Sequence, residues 1–202
     1  AGEQTVVPNT LKLVSANVVQ NIQQTIHAID NETFNDVVGA IIRAERIYCL
    51  GLEISAHFSR LLAYLLRLYT YDAHFLSLEF LHYKEQIAFM SEKDLLIAFT
   101  FSPYSREAAE AVKFAHKRKV PIVTFTDKMI EHTTEFTNYS IFIKTDRFMF
   151  SNSFAAVSVI FNAIISELGN RDKNRIEQAM QTLENNISEE QYLILDKNHK
   201  RR

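Results

Sequence analysis

Four hydroxyls fall within six residues at Thr100, Ser102, Tyr104 and Ser105, between the apolar run Leu95 to Phe99 and the helix-forming stretch Glu107 to His116. Hydroxyls donate and accept hydrogen bonds without carrying charge, and the first turn of a helix offers backbone N–H groups that lack intrahelical partners. A loop that holds both can receive an anion or a polar head group. Pro103 fixes the backbone between the hydroxyls and removes one N–H from the loop. A sparser turn, Gly51 to Ser55 (GLEIS), follows a second apolar run and precedes a second helical stretch. Ser105 serves equally as a helix N-cap and Thr100 to Tyr104 as an ordinary tight loop, so the hydroxyls define a candidate site and not yet a chemistry.

The elements that must position these loops alternate between strand and helix. Arg46 to Leu50, Thr70 to Leu78, Leu95 to Phe99, Pro121 to Thr126 and Tyr139 to Lys144 read as strands. Ala56 to Leu68, Glu79 to Met90 and Glu107 to His116 read as the helices between them. Leu95 to Phe99 is apolar at every position, as a strand covered on both faces must be. Parallel strands need crossovers, and the crossovers here have helical composition. The expected fold is therefore α/β: a doubly wound three-layer αβα sandwich with a five-stranded parallel sheet. In the order 2-1-3-4-5, strands one and three are neighbours at the reversal, and the two loops face one crevice at the carboxyl ends.

Before the first strand, Leu11, Val14, Val18, Ile22, Ile26 and Ile29 recur at steps of three and four, which predicts an amphipathic helix. A second lead-in helix starts at Asn31 and Glu32 with the stripe Phe34, Val37, Val38, Ile41 and Ile42. After the last strand, Ser153 to Glu167 is apolar nearly all round, ended by Gly169 and Asn170. A helix without a polar face must be buried on all sides, so it is a candidate interface of a homodimer or higher homo-oligomer. Asp172 to Glu184 reads as a final polar helix, and Asp196 to Arg202 as a basic, solvated tail.

Composition narrows the function classes. Of 202 residues, 47% are hydrophobic and 23% charged, a globular balance. With 22 Lys and Arg against 24 Asp and Glu, no bulk charge steers the domain onto nucleic acid. The single Cys49 lies in a strand, reads as a structural thiol and suits a cytoplasmic protein. Neither a signal peptide nor a membrane-spanning run is found, so no membrane partner is expected.

Two stretches resemble the sugar isomerase (SIS) domain, and within it the effector domain of RpiR-type transcriptional regulators. AERIYCLGLEIS is similar to that family's strand followed by Gly-x-Gly-x-Ser. DLLIAFTFSPYSREAAEAVKFAHKRKVPIVTFTD is similar to its Asp-hydrophobic-Ser-x-Ser-Gly-x-Ser/Thr, helix, Pro-led strand and Thr-Asp. NVVQNIQQTIHAID resembles the helical segment that joins a DNA-binding domain to the SIS domain. The resemblance divides the chain into a lead-in (1–43), an SIS domain (44–168) and a C-terminal helix with tail (169–202). It implies a cytoplasmic, dimeric or higher, non-catalytic sensor of a phosphosugar or related sugar metabolite. DNA would be reached only through a separate N-terminal domain, and the start of the chain, with no helix-turn-helix before the lead-in, reads as that of a fragment.

Carried over position by position, the resemblance implies that Gly51 and Ser55 belong to the first ligand loop. Thr100, Ser102 and Ser105 match the hydroxyls that hold phosphate and sugar oxygens, with Tyr104 and Arg106 beside them. Glu53 replaces the second glycine and brings negative charge to the place an anion would approach. It equally suits sugar hydroxyls or an amine. Pro103 and Tyr104 replace Gly-x, while Arg106 can offset Glu53 by binding phosphate bidentately. No cofactor is expected. The His-x-x-x-Glu of the metal-dependent relatives falls on Leu61 and Leu65, which cannot ligate. The alternative is a stand-alone sugar-phosphate isomerase or lyase, with Glu53, His57 or His132 as the base.

Overall fold

A computed structural model of the chain describes residues 9–79, 81–130 and 133–186. The predicted basic tail and His132 lie outside the described residues. Five parallel strands, β1 (Ile47–Gly51), β2 (Ala73–Phe75), β3 (Leu95–Thr100), β4 (Ile122–Thr126) and β5 (Tyr139–Phe142), form one sheet in the order β2-β1-β3-β4-β5. Helices α1 (Asn9–Ala28) and α2 (Asn31–Arg43) precede it, and α3 (Ile54–Leu68), α4 (Tyr83–Ala88) and α5 (Arg106–Lys117) make the crossovers. Helices α6 (Ala155–Arg171) and α7 (Lys173–Asn186) follow.

Every residue of β3 and β4 is buried, because helices cover both faces of the sheet. Alternation along the strands divides the core. Cys49, Ile97, Phe99, Phe125 and Ile141 face the layer of α2, α3 and α6. Leu50, Leu96, Ala98 and Ile122 face that of α4 and α5. At the amino end, Arg46 donates to both oxygens of Asp94 at 2.8 and 3.0 Å, and the Ser91 backbone N–H adds a bond of 2.7 Å. Burial alone would raise the Asp94 carboxyl, but these bonds outweigh it and hold the group below its ordinary pKa. The pair ties β1 to β3, the two strands that carry the candidate loops.

Several sequence expectations change. The second strand shrinks to Ala73–Phe75 and the helix after it to Tyr83–Ala88. Gly169 and Asn170 do not end α6, which continues to Arg171 and breaks at Asp172. A Cβ on Gly169 would lie 2.9 Å from Ile176 Cδ1, so its role is close packing against α7. Helix α6 is also not apolar all round: Ser158, Asn162 and Ser166 form an exposed stripe, one turn apart. Val157, Ile160, Phe161, Ile164 and Leu168 are buried within the same chain. Its apolarity is thus met by the chain's own core, contrary to its expected place in an interface between subunits.

Helix α1 keeps only part of its expected pattern: Ile22 and Ile29 pack against the core. Leu11, Val14 and Ile26 are exposed, whereas the polar Asn21 and Thr25 are each only 1% exposed. Hydrogen bonding explains this: Asn21 Nδ2 donates to the Asp146 carbonyl at 2.8 Å, and Thr25 Oγ1 accepts from Lys144 N–H at 2.9 Å. The helix therefore grips the segment that leaves β5.

Candidate ligand-binding site

Gly51 pairs with Phe99 across β1 and β3, so both loops leave the sheet side by side at its carboxyl edge, as the strand order requires. Their construction differs. In the first loop, Ser55 N–H closes a turn onto the Leu52 carbonyl at 2.9 Å. A Cβ on Gly51 would lie 2.2 Å from the Ser55 carbonyl oxygen, closer than any side chain can approach, so only glycine fits. Glu53 has φ 52° and ψ −122°, a region that favours glycine, and its side chain makes no capping bond to α3. Glu53 and His57 are exposed, and Ser55 is buried.

The second loop is anchored by an aromatic side chain that no sequence motif singles out. Phe101, between the hydroxyls of Thr100 and Ser102, is 2% exposed. Its ring packs edge-on against Phe58 of α3 and Phe154 at centroid distances of 5.8 and 5.6 Å. Alternation then turns Thr100 toward the α5 layer, where its hydroxyl is buried and has no hydrogen-bond partner among the described residues. Ser105 caps α5, its Oγ accepting from Ala108 N–H at 3.3 Å. The Ser102–Pro103 peptide is cis. Tyr104 donates to Asp127 Oδ1 at 2.7 Å, and Lys128 Nζ lies 5.1 Å from the centre of its ring. Burial, reinforced by Asp127, pushes the Tyr104 phenol well above its ordinary pKa, so it is a donor at neutral pH.

Two cavities border this loop, and Tyr104 lines both. One, of about 440 Å³, brings together Thr100, Tyr104, Ser105 and Arg106 with Lys113 of α5 and Thr133. Arg106 does not point at the β1–β3 crevice: its Nε donates to Glu110 at 3.2 Å and its side chain is 93% exposed. The other cavity, of about 380 Å³, joins Ser102 and Tyr104 to Asp127, Lys128, Asp146 and Arg147. Gly51, Glu53 and Ser55 line neither cavity. Asp127 belongs to the Thr-Asp pair that follows β4 and is the one hint of this cavity carried by a motif. Asp146 and Arg147 sit in a loop with no motif. Asn152 Nδ2 donates to the Ser102 carbonyl at 2.9 Å and so ties this loop to the β5 exit.

Among the described residues, no three His, Cys, Asp or Glu side chains are placed to hold a metal ion. Cys49 is fully buried, and burial pushes its thiol up, away from the reactive thiolate. Among the described residues no helix is long and apolar enough to cross a membrane.

The SIS domain family model matches residues 40–166. The SIS domain of an RpiR transcription factor from Sphaerobacter thermophilus superposes with a TM-score of 0.82 at 20% identity, covering 89% of this chain and 99% of that one. The Vibrio vulnificus NanR protein, complexed with ManNAc-6P, superposes at 0.76 and 19% identity, covering 90% and 71%. A phosphoheptose isomerase from Neisseria gonorrhoeae superposes at 0.65 and 15% identity, covering 79% and 99%. No curated protein matches the chain by sequence. Regulators and isomerases thus share this fold, and function has to be argued from the site. With the matched segment spanning both loops and all five strands, the chain belongs to the SIS domain family.

Proposed function

We propose that the chain is the effector-binding domain of an RpiR-type transcriptional regulator, non-catalytic, sensing a phosphosugar or related sugar metabolite at the hydroxyl loop. One observation carries this reading. The segment Lys144 to Asn152 touches the hydroxyl loop through Asn152 and helix α1 through Lys144 and Asp146. An isomerase has no need of a physical link from its substrate loop to its lead-in helix, whereas a sensor depends on one. A ligand that favours one position of the loop favours one position of α1, and a DNA-binding domain attached there would feel the difference. With α6 taken up inside the chain, exposed apolar side chains that could meet a partner copy include Leu11, Val14 and Val19 on α1 and Met149 and Phe150 close in sequence to the β5 exit.

The test is a thermal-shift screen of this chain against sugar phosphates, amino sugars and sugar acids, N-acetylmannosamine 6-phosphate included. A bound ligand raises apparent stability by mass action. The expected result is stabilisation by a sugar phosphate that is recovered unchanged, abolished by Ser102→Ala without loss of fold. Recovery of an isomerised or cleaved product would establish the isomerase or lyase reading instead.

A further inference from the structure

Six phenylalanine rings run in unbroken contact from the middle of the sheet to the loops at its carboxyl edge, and they form two triangles. Phe99, Phe125 and Phe161 make the inner one, with centroids 5.0, 5.6 and 6.0 Å apart and no ring residue more than 1% exposed. Phe58, Phe101 and Phe154 make the outer one, at 5.8, 5.6 and 5.0 Å. A contact of 6.4 Å between Phe58 and Phe99 joins the two.

The triangles stand on different kinds of backbone. The inner rings come from β3, β4 and the interior of α6, which hold their own shape by ladder and helix bonds. The outer rings come from places where regular structure begins or ends. Phe58 lies just past the first turn of α3, three residues after Ser55; Phe101 lies in the hydroxyl loop; Phe154 is the N-cap of α6 and makes no side-chain capping bond. Beyond the strand ladder that ends at Gly51 and Phe99, no hydrogen bond among the described residues joins the β1–α3 loop to the β3–α5 loop. Ring packing is left to make that connection.

From this geometry we infer that Phe58, Phe101 and Phe154 are positioning residues of the ligand site: their rings form a wedge that fixes the first loop against the second. The wedge sets where Ser102 and Ser105 stand relative to Ser55, and so the span that a ligand must bridge. Interiors packed at crystal density pass a displacement on instead of absorbing it. Asn152, two residues before Phe154, donates to the Ser102 carbonyl at 2.9 Å, so the segment entering α6 grips the hydroxyl loop at one polar and one aromatic point. A movement of either loop therefore reaches the start of α6.

This inference rests on the sensor reading for what is positioned, while its first test needs no ligand. Amide hydrogen exchange is compared in the parent chain, Phe154→Leu and Phe161→Leu, with the stability of each taken from urea denaturation. Phe154 is half-buried, so its leucine variant keeps an apolar cap on α6 and loses only the wedge. Phe161→Leu damages the inner triangle and is the control for stability alone. Exchange in residues 52–56 and 100–106 is expected to quicken about tenfold in Phe154→Leu and to stay within about twofold of the parent in Phe161→Leu, although the latter loses at least as much stability. Unchanged exchange in 52–56 of Phe154→Leu, or equal quickening in both variants, would overturn the wedge. Calorimetric titration with N-acetylmannosamine 6-phosphate then tests what the wedge positions: binding weakened about fivefold or more in Phe154→Leu and held within about twofold in Phe161→Leu is expected, and the reverse order overturns the positioning role. A parent chain that binds no sugar phosphate in the thermal-shift screen strikes the sensor reading, and the exchange comparison still decides whether the rings hold the two loops together.

Discussion

The two loops at the carboxyl edge of the sheet leave neighbouring strands, yet they are built to opposite rules. The β1–α3 loop is governed by backbone space: Gly51 has no room for a Cβ, and Glu53 holds a conformation suited to glycine. The β3–α5 loop is governed by side chains: Phe101 anchors it, Ser105 caps the helix, and Tyr104 lines two cavities. Tight turns position a strand end, whereas side-chain-rich loops bind. The difference favours recognition on the second loop and a spacer role for the first.

Substitutions at the two loops should therefore separate stability from binding. Gly51→Ala should be the most damaging, costing about 3 kcal/mol or more because the added methyl meets backbone and not a movable side chain. Urea denaturation measures it, and a loss below about 1 kcal/mol would show that the turn is not space-limited. Asp94→Asn should cost about 2 kcal/mol at neutral pH by weakening the tie between the strands that bear both loops. Because the folded Asp94 pKa is depressed, its contribution is complete above the unfolded carboxylate pKa of about 4 and is lost as pH falls through the folded value. Denaturation from pH 6 to pH 2 should show a flatter stability profile for the variant than for the parent.

Smaller effects sharpen the contrast. Ser105→Ala removes the α5 cap and should cost about 1 kcal/mol, read as a lower urea midpoint with unchanged slope. Glu53→Gly should have the reverse sign, stabilising by about 1 kcal/mol, since it relieves a positive φ at a site where the side chain makes no capping bond. A destabilised Glu53→Gly would mean that the carboxylate makes a folded-state contact and that the first loop is more than a spacer.

Strand order and the adjacency of the loops are legible in the sequence, because strands alternate with helices and the wholly apolar Leu95 to Phe99 leaves β3 no exposed face. The hydroxyl loop is legible because four hydroxyls before a helix are a local signal. What the sequence hides depends on partners distant along the chain. Asn21 and Thr25 stand outside the apolar repeat of α1, and their burial rests on bonds to Asp146 and Lys144, more than 100 residues on. Helix α6 looks apolar nearly all round because a stripe of Ser158, Asn162 and Ser166 is narrow, while the aromatic side chains of β3 and β4 that cover Phe161 come from elsewhere in the chain. Asp146 and Arg147 come to line a cavity with Tyr104 only when the fold brings the exits of β4 and β5 together.

The central claim, that ligand at the hydroxyl loop is felt by α1, is tested most directly by amide hydrogen exchange with and without a sugar phosphate that stabilises the chain. Protection is predicted to change together in residues 100–106, in the β5 exit 144–153 and in the second half of α1 around Asn21 and Thr25. Protection confined to residues 100–106, with α1 exchanging as in the free protein, would contradict the account.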